Sequence, residues 1–314
     1  MRFKSLFKRE CSLMILGLIV SACSPQNTVE APIETHKPSA IINGEKVTIE
    51  AKDPLAPLVV QLFIYSEEDV EPEVSPRCTG VLLHPQVVLT AGHCIVKPGE
   101  EVFSKHPGAL LQFEQDETRA PVLFVRSYDL TVFRKVLYAF VHPNYTGKVS
   151  GKRFNDVALL FLAEPFYDSA TWSKLPQLKF DSKGRVKPST IVTAYGFGWS
   201  GLEQNEKGET VMTYDAVMRK KDFKTVSQEE ANPALWRAED FIYVVPEPNN
   251  ELGSVCEGDS GGGAFAKING QYILVGLTSL TIGSCKSGAA LISVKEHIGW
   301  IQAKFREDLA VLND

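Results

Sequence analysis

The 314-residue sequence predicts an all-β domain, a sandwich or barrel of many short strands followed by one C-terminal helix. Two patterns carry this prediction. Short apolar runs, β-branched and aromatic, recur along the chain between clusters of Gly, Pro, Asn and Asp. Near the end the period changes: Ile298, Ile301 and Phe305 fall at i, i+3 and i+7, one face of a helix over 294–305. In order, the expected strands are 58–65, 80–83, 87–89, 121–126, 135–141, 157–162, 190–197, 211–218, 241–245, 271–279 and 288–294. The stretch 163–189, rich in Pro, Ser and Lys, is the expected boundary between two β halves of a domain spanning 41–308, with 309–314 as a tail.

The first 22 residues read as a signal peptide. Arg2, Lys4, Lys8 and Arg9 precede a short apolar core, Leu13 to Val20, and the small residues Ser21 and Ala22 follow. Val20-Ser21-Ala22-Cys23 is similar to the lipobox of bacterial lipoproteins, which makes Cys23 the expected lipid-bearing N-terminus and implies membrane attachment. Residues 24–40, with three prolines and few large apolar groups, are expected to form a tether or propeptide. An exported protein of the cell envelope, or one secreted after release, is the expectation.

Composition narrows the function classes. With 44% hydrophobic and 23% charged residues the chain is an ordinary globular protein. A formal net charge of −5 and the lack of any basic stripe give no reason to expect nucleic acid as a partner. His84, His106, His142 and His297 show no paired metal-ligand spacing, and neither a metal nor a cofactor is expected. Nothing in the sequence calls for an oligomer, so a monomer is expected. Apart from Cys11 and Cys23 four cysteines remain, Cys78, Cys94, Cys256 and Cys285, which in an exported chain suggest two disulfides. Four cysteines allow three pairings, and sequence neighbours give Cys78–Cys94 and Cys256–Cys285.

Three separated segments hold the residue types that nucleophilic catalysis needs. Leu89-Thr90-Ala91-Gly92-His93-Cys94 ends an apolar strand with a histidine. Asn155-Asp156-Val157-Ala158-Leu159-Leu160 opens an apolar strand with an aspartate. Cys256-Glu257-Gly258-Asp259-Ser260-Gly261-Gly262-Gly263 sets a serine in a glycine-rich loop. A serine hydroxyl attacks well only when a neighbouring base takes its proton, and histidine titrates in the useful range. A buried carboxylate then fixes the imidazole and stabilises the imidazolium. Backbone N–H groups of Gly258 and Ser260 are the expected donors to the oxyanion. Asp129 is the rival for the acid, but Leu130-Thr131-Val132 follows it instead of an apolar core strand.

These segments resemble the Thr-Ala-x-His-Cys, Asp-(Ile/Val)-Ala-Leu-Leu and Gly-Asp-Ser-Gly-Gly motifs of the trypsin/chymotrypsin family, in the order His, Asp, Ser. The cysteines stand where that family has bridges. Val141-His142-Pro143-Asn144-Tyr145 and Gly299-Trp300-Ile301-Gln302 are similar to its loop before the aspartate strand and its closing helix. The resemblance runs from about Ile41 to Phe305. It implies two six-stranded antiparallel Greek-key barrels, a His93–Asp156–Ser260 triad, and protein or peptide substrates. The competing reading is a catalytically silent, protease-shaped binding or adhesion module of the cell envelope.

Ala40-Ile41-Ile42-Asn43-Gly44 resembles the family's activation site, so that cleavage after Ala40 would free an ammonium on Ile41 to pair with Asp259. The family's pocket-floor position falls on Ser254, and Ser279-Leu280-Thr281 is similar to its substrate-pairing segment. With no carboxylate at 254, a narrowing Thr281 and Ala289 opposite, the expected residue before the scissile bond is small or medium and uncharged.

Overall fold

The computed structural model describes residues 41–65, 78–95, 110–112, 122–145, 155–204, 210–231, 240–247 and 253–312. The signal segment, Cys23, the tether and Ala40 lie outside the described residues. The first strands are β1 (Glu45–Lys46), β2 (Val59–Tyr65), β3 (Cys78–His84), β4 (Val87–Thr90), β5 (Leu110–Gln112), β6 (Val122–Ser127), β7 (Phe133–Val141) and β8 (Ala158–Leu162). There follow β9 (Lys179–Phe180), β10 (Ile191–Gly196), β11 (Gly201–Gln204), β12 (Thr210–Thr213) and β13 (Arg219–Val226). The last are β14 (Phe241–Pro246), β15 (Gly263–Ile268), β16 (Gln271–Ile282) and β17 (Gly288–Ser293).

Six strands close the first barrel in the order β7-β6-β2-β3-β4-β8, with β7 and β8 pairing to seal it. The second barrel runs β13-β10-β15-β16-β17-β14 and is sealed by β13 and β14. Within each barrel the ladders are antiparallel, and β6 returns beside β2 of the β2-β3-β4 meander as a Greek key requires. The chain therefore has the all-β, two-barrel architecture with a C-terminal helix that its motifs implied. Strand β8 is apolar and buried at every position, a continuous run with no polar alternation, and Val88 and Leu89 face its Leu160 and Leu159. Ile301 of the closing helix (Val294–Leu312) is buried, with Ile298 and Phe305 packed beside it. No helix among the described residues is long and apolar enough to cross a membrane.

Several elements depart from the sequence reading. The expected strand 211–218 ends at Thr213, where β12 pairs with β11 as a hairpin, and residues 214–218 lead into β13. Strand β13 escapes the reading because its buried positions include Arg219 and Lys221, so charge replaces the apolar alternation. Strand β15 escapes it because it begins on Gly263 and Ala264 inside the glycine-rich stretch. Of the three possible cysteine pairings the structure has Cys78–Cys94 and Cys256–Cys285, with sequence separations of 16 and 29. Two disulfides fit a protein that matures in an oxidising compartment.

Candidate active site

His93 sits on a 3-10 turn, Gly92–Cys94, directly after β4, and the Cys78–Cys94 bridge ties that turn to β3. Its ring Nδ1 lies 2.7 Å from Oδ2 of Asp156, and its backbone N–H donates to Oδ1 at 2.8 Å. Asp156 is fully buried just ahead of β8, and the Ser279 hydroxyl donates to its Oδ2 at 2.5 Å. Ser279 reaches it because β16 bulges between Thr278 and Leu280, which re-aims the extra residue. Burial alone would push the Asp156 carboxyl up. The His93 charge and the hydrogen bonds from His93 and Ser279 outweigh it and hold the group below the usual carboxylate range. Asp129, the rival acid, instead caps its own turn through Ser127 and Thr131.

The loop 256–262 presents two backbone donors for a geometric reason. In a trans peptide the C=O and the following N–H point in opposite directions. The Glu257 carbonyl accepts the Trp199 N–H at 2.8 Å, so the Gly258 N–H is turned the other way. The Asp259 carbonyl accepts the Gly262 N–H at 2.9 Å, which turns the Ser260 N–H likewise. Thr79 holds this arrangement from the first barrel. Its hydroxyl donates to the Gly258 carbonyl at 2.9 Å and accepts the Phe197 N–H at 3.1 Å, and its own N–H donates to the Ser260 carbonyl at 2.8 Å. His93, Gly258 and Ser260 line one cleft of about 490 Å³.

Behind the loop the Asp259 carboxylate is fully buried and accepts N–H groups from Gly198 at 2.7 Å and Cys256 at 2.8 Å, and one from Ile41. A Cβ on Gly196 would lie 2.7 Å from Asp259 Cγ, so only glycine lets the carboxylate in. Burial pushes the Asp259 carboxyl up to about 7. Ile41 is buried here with φ 41°, a left-handed conformation that a β-branched residue rarely adopts. The Ile42 N–H donates to the Ser254 carbonyl at 3.0 Å, which docks the segment.

The family model described as Trypsin matches residues 41–301. The chain belongs to the trypsin family. This trypsin-family chain is 26% identical over 245 residues to vitamin K-dependent protein C of Oryctolagus cuniculus, covering 73% of the chain and 47% of that protein. Spermosin of Halocynthia roretzi is 24% identical over 253 residues, with 73% and 54% covered. Kallikrein-1E2 of Equus caballus is 25% identical over 239 residues, with 72% and 79% covered. The chain spans about half the length of the protein C and spermosin chains that it matches.

Of the residues singled out for substrate, Ser279 and Thr281 line the cleft of the trypsin-family chain, together with Glu257 and Leu280. Ser254 and Ala289 are fully buried behind it, next to Val255 in chain and in core respectively. A larger cavity of about 600 Å³, rimmed by Lys52, Asp53, Lys220 and Tyr272, lies away from the histidine and serine, so size does not locate the chemistry. Metal-ligand side chains cluster at Cys78, His93 and Cys94, but both sulfurs there are joined in the disulfide. The sequence reading missed Thr79, Gly196, Trp199 and the Ser279–Asp156 hydrogen bond. Only the position of Thr79 beside Cys78 offered a hint of any of them.

Proposed function

We propose that this chain is a serine endopeptidase in which Ser260 is the nucleophile, His93 the base and Asp156 its orienting carboxylate. The observation that carries the reading is the pair of N–H groups at Gly258 and Ser260, turned away from tied carbonyls beside an imidazole already held by a buried carboxylate. Ser260 Oγ attacks the peptide carbonyl while His93 takes its proton. The oxyanion gathers the two N–H groups, and His93 returns the proton to the leaving amine. Water then enters on the same base, the acyl-enzyme is hydrolysed and the serine is restored.

The same reading makes the protein a weakly active zymogen cut after Ala40. The Ile41 amide already reaches Asp259, and cutting would replace a strained neutral donor with an ammonium. An uncharged residue at 254 supports small or medium uncharged side chains before the scissile bond, with Ser279 and Thr281 lining the cleft that would take them and Ala289 buried behind it. Export, with attachment through lipidated Cys23 or release after cleavage, completes the proposal, as a monomer acting on proteins or peptides without a cofactor. The test is labelling by a serine-directed phosphonylating reagent and casein digestion, wild type beside Ser260→Ala, with N-terminal sequencing of each. Labelled, digesting wild type starting at Ile41 beside an inert, uncut variant is the expected result. Wild type that starts at Ile41 and neither labels nor digests would overturn it in favour of a binding module.

A further inference from the structure

Arg219 is a buried cation that the proposed mechanism does not use. It is fully buried on β13. Its Nη1 and Nη2 donate to Asp215 at 2.7 and 2.6 Å, and Nη1 also donates to the Val217 carbonyl at 3.1 Å. Its Nε has no acceptor among the described residues. The guanidinium brings a cation into the second barrel, with the Asp215 carboxylate as its ion-pair partner.

The ladder places Arg219 relative to the strand beside Asp259. Arg219 is the Cα partner of Gly196 across the β10–β13 pair. Residues directly opposite on antiparallel strands put their side chains on one face, with Cβ atoms about 5 Å apart. Gly196 has no side chain, and the space that one would fill is taken by Asp259: a Cβ there would meet Asp259 Cγ at 2.7 Å and its Cβ at 3.0 Å. The Asp259 carboxylate thus lies on the face of the sheet from which the Arg219 side chain rises, while the ion pair of the guanidinium is with Asp215. Its direct hydrogen-bond donors, the N–H groups of Gly198, Cys256 and Ile41, are all neutral in the unbroken chain. Among the groups that pull the buried carboxyl back toward ionisation, the charge is that of Arg219.

We propose that Arg219 is a positioning residue that serves Asp259 as a built-in cation while the chain before Ile41 is intact, so that the uncut protein holds an assembled oxyanion hole and is active before cleavage. The proposal rests on the serine-peptidase reading above. Once cleavage delivers the Ile41 ammonium, Asp259 has a nearer partner and Arg219 becomes redundant. A residue that merely supported β13 would matter equally before and after the cut.

The experiment compares full-length protein, shown intact by mass before and after assay, with the form beginning at Ile41, each as wild type, Arg219→Gln and Arg219→Lys. The readout is the second-order rate of reaction with a phosphonylating reagent. Arg219→Gln lowers the rate of the uncut form by at least about tenfold and that of the cut form by less than about threefold, while Arg219→Lys, which keeps the charge, retains most of the uncut rate. Equal slowing of both forms, or of neither, would overturn the proposal. Should the Gln variant not fold, Asp215→Asn frees the guanidinium for Asp259 and raises the uncut rate relative to the cut rate; a ratio that is unchanged or lower would overturn it. An inert cut wild type would sink the serine-peptidase reading and this one with it. An active cut wild type whose ratio neither variant moves sinks the role of Arg219 alone.

Discussion

Replacing Thr79 by valine keeps the shape of a fully buried side chain and removes its hydroxyl. Two groups then lose their partner inside the protein, the Gly258 carbonyl, held at 2.9 Å, and the Phe197 N–H, held at 3.1 Å. Each orphan costs about 1–3 kcal/mol, so Thr79→Val is expected to lose roughly 2–6 kcal/mol of stability. At about 2–4 °C per kcal/mol for a domain near this size, the melting temperature falls by roughly 4–24 °C. The effect on chemistry is separate. The freed carbonyl belongs to the residue whose N–H the proposed mechanism gives to the oxyanion, and losing one such donor outright costs about 10²–10³ in kcat. The Thr79 N–H still holds the Ser260 carbonyl at 2.8 Å, so a partial loss of roughly tenfold to a hundredfold in kcat is expected, with KM little changed. Steady-state kinetics on a peptide anilide and a thermal melt read both quantities, and Thr79→Ser should restore them. Valine at wild-type kcat and melting temperature, or serine as impaired as valine, would refute the reasoning.

The Asp259 carboxyl, pushed up to about 7 in the unbroken chain, holds its proton where the unfolded chain has already lost it. Stability of uncut Ser260→Ala protein should therefore fall as pH rises from about 4 to about 7 and then level, beyond any slope left in an added Asp259→Asn change. Cleavage supplies the ammonium and should flatten that slope, and urea midpoints across the range would expose a slope that survives in the asparagine variant. Removing the Cys256–Cys285 bridge, whose separation is 29, should cost roughly 3–4 kcal/mol by loop entropy. Because the Ser254 N–H donates to the Cys285 carbonyl and the Cys285 N–H to the Thr281 hydroxyl, each at 3.0 Å, KM should also rise. A bridge-free variant with unaltered urea midpoint and KM would contradict this.

Much of the fold was legible because barrel strands and a packed helix leave short-range marks. The buried run 158–162 is apolar at every residue, and Ile298, Ile301 and Phe305 repeat at helical spacing. Strand β13 left no such mark, since Arg219 and Lys221 fill buried positions that periodicity reserves for apolar side chains. The hairpin β11–β12 and the small-residue start of β15 were lost for related reasons: the signal there lies in pairing, not in composition.

The sequence by itself determined the all-β class, the closing helix, the four cysteines available for bridging and three short motifs, because each is written in neighbouring residues. It could not bring those motifs together. His93 and Asp156 are 63 residues apart, Ser279 and Asp156 are 123 apart, and Thr79 and Gly258 are 179 apart. Closure of two barrels decides those contacts, and also which carbonyls are tied so that the N–H groups of Gly258 and Ser260 face outward. That Arg219 lies opposite the glycine that Asp259 crowds is likewise a matter of register: Arg219 meets Gly196 only because β13 pairs with β10 at that offset, and no local pattern encodes an offset between distant strands.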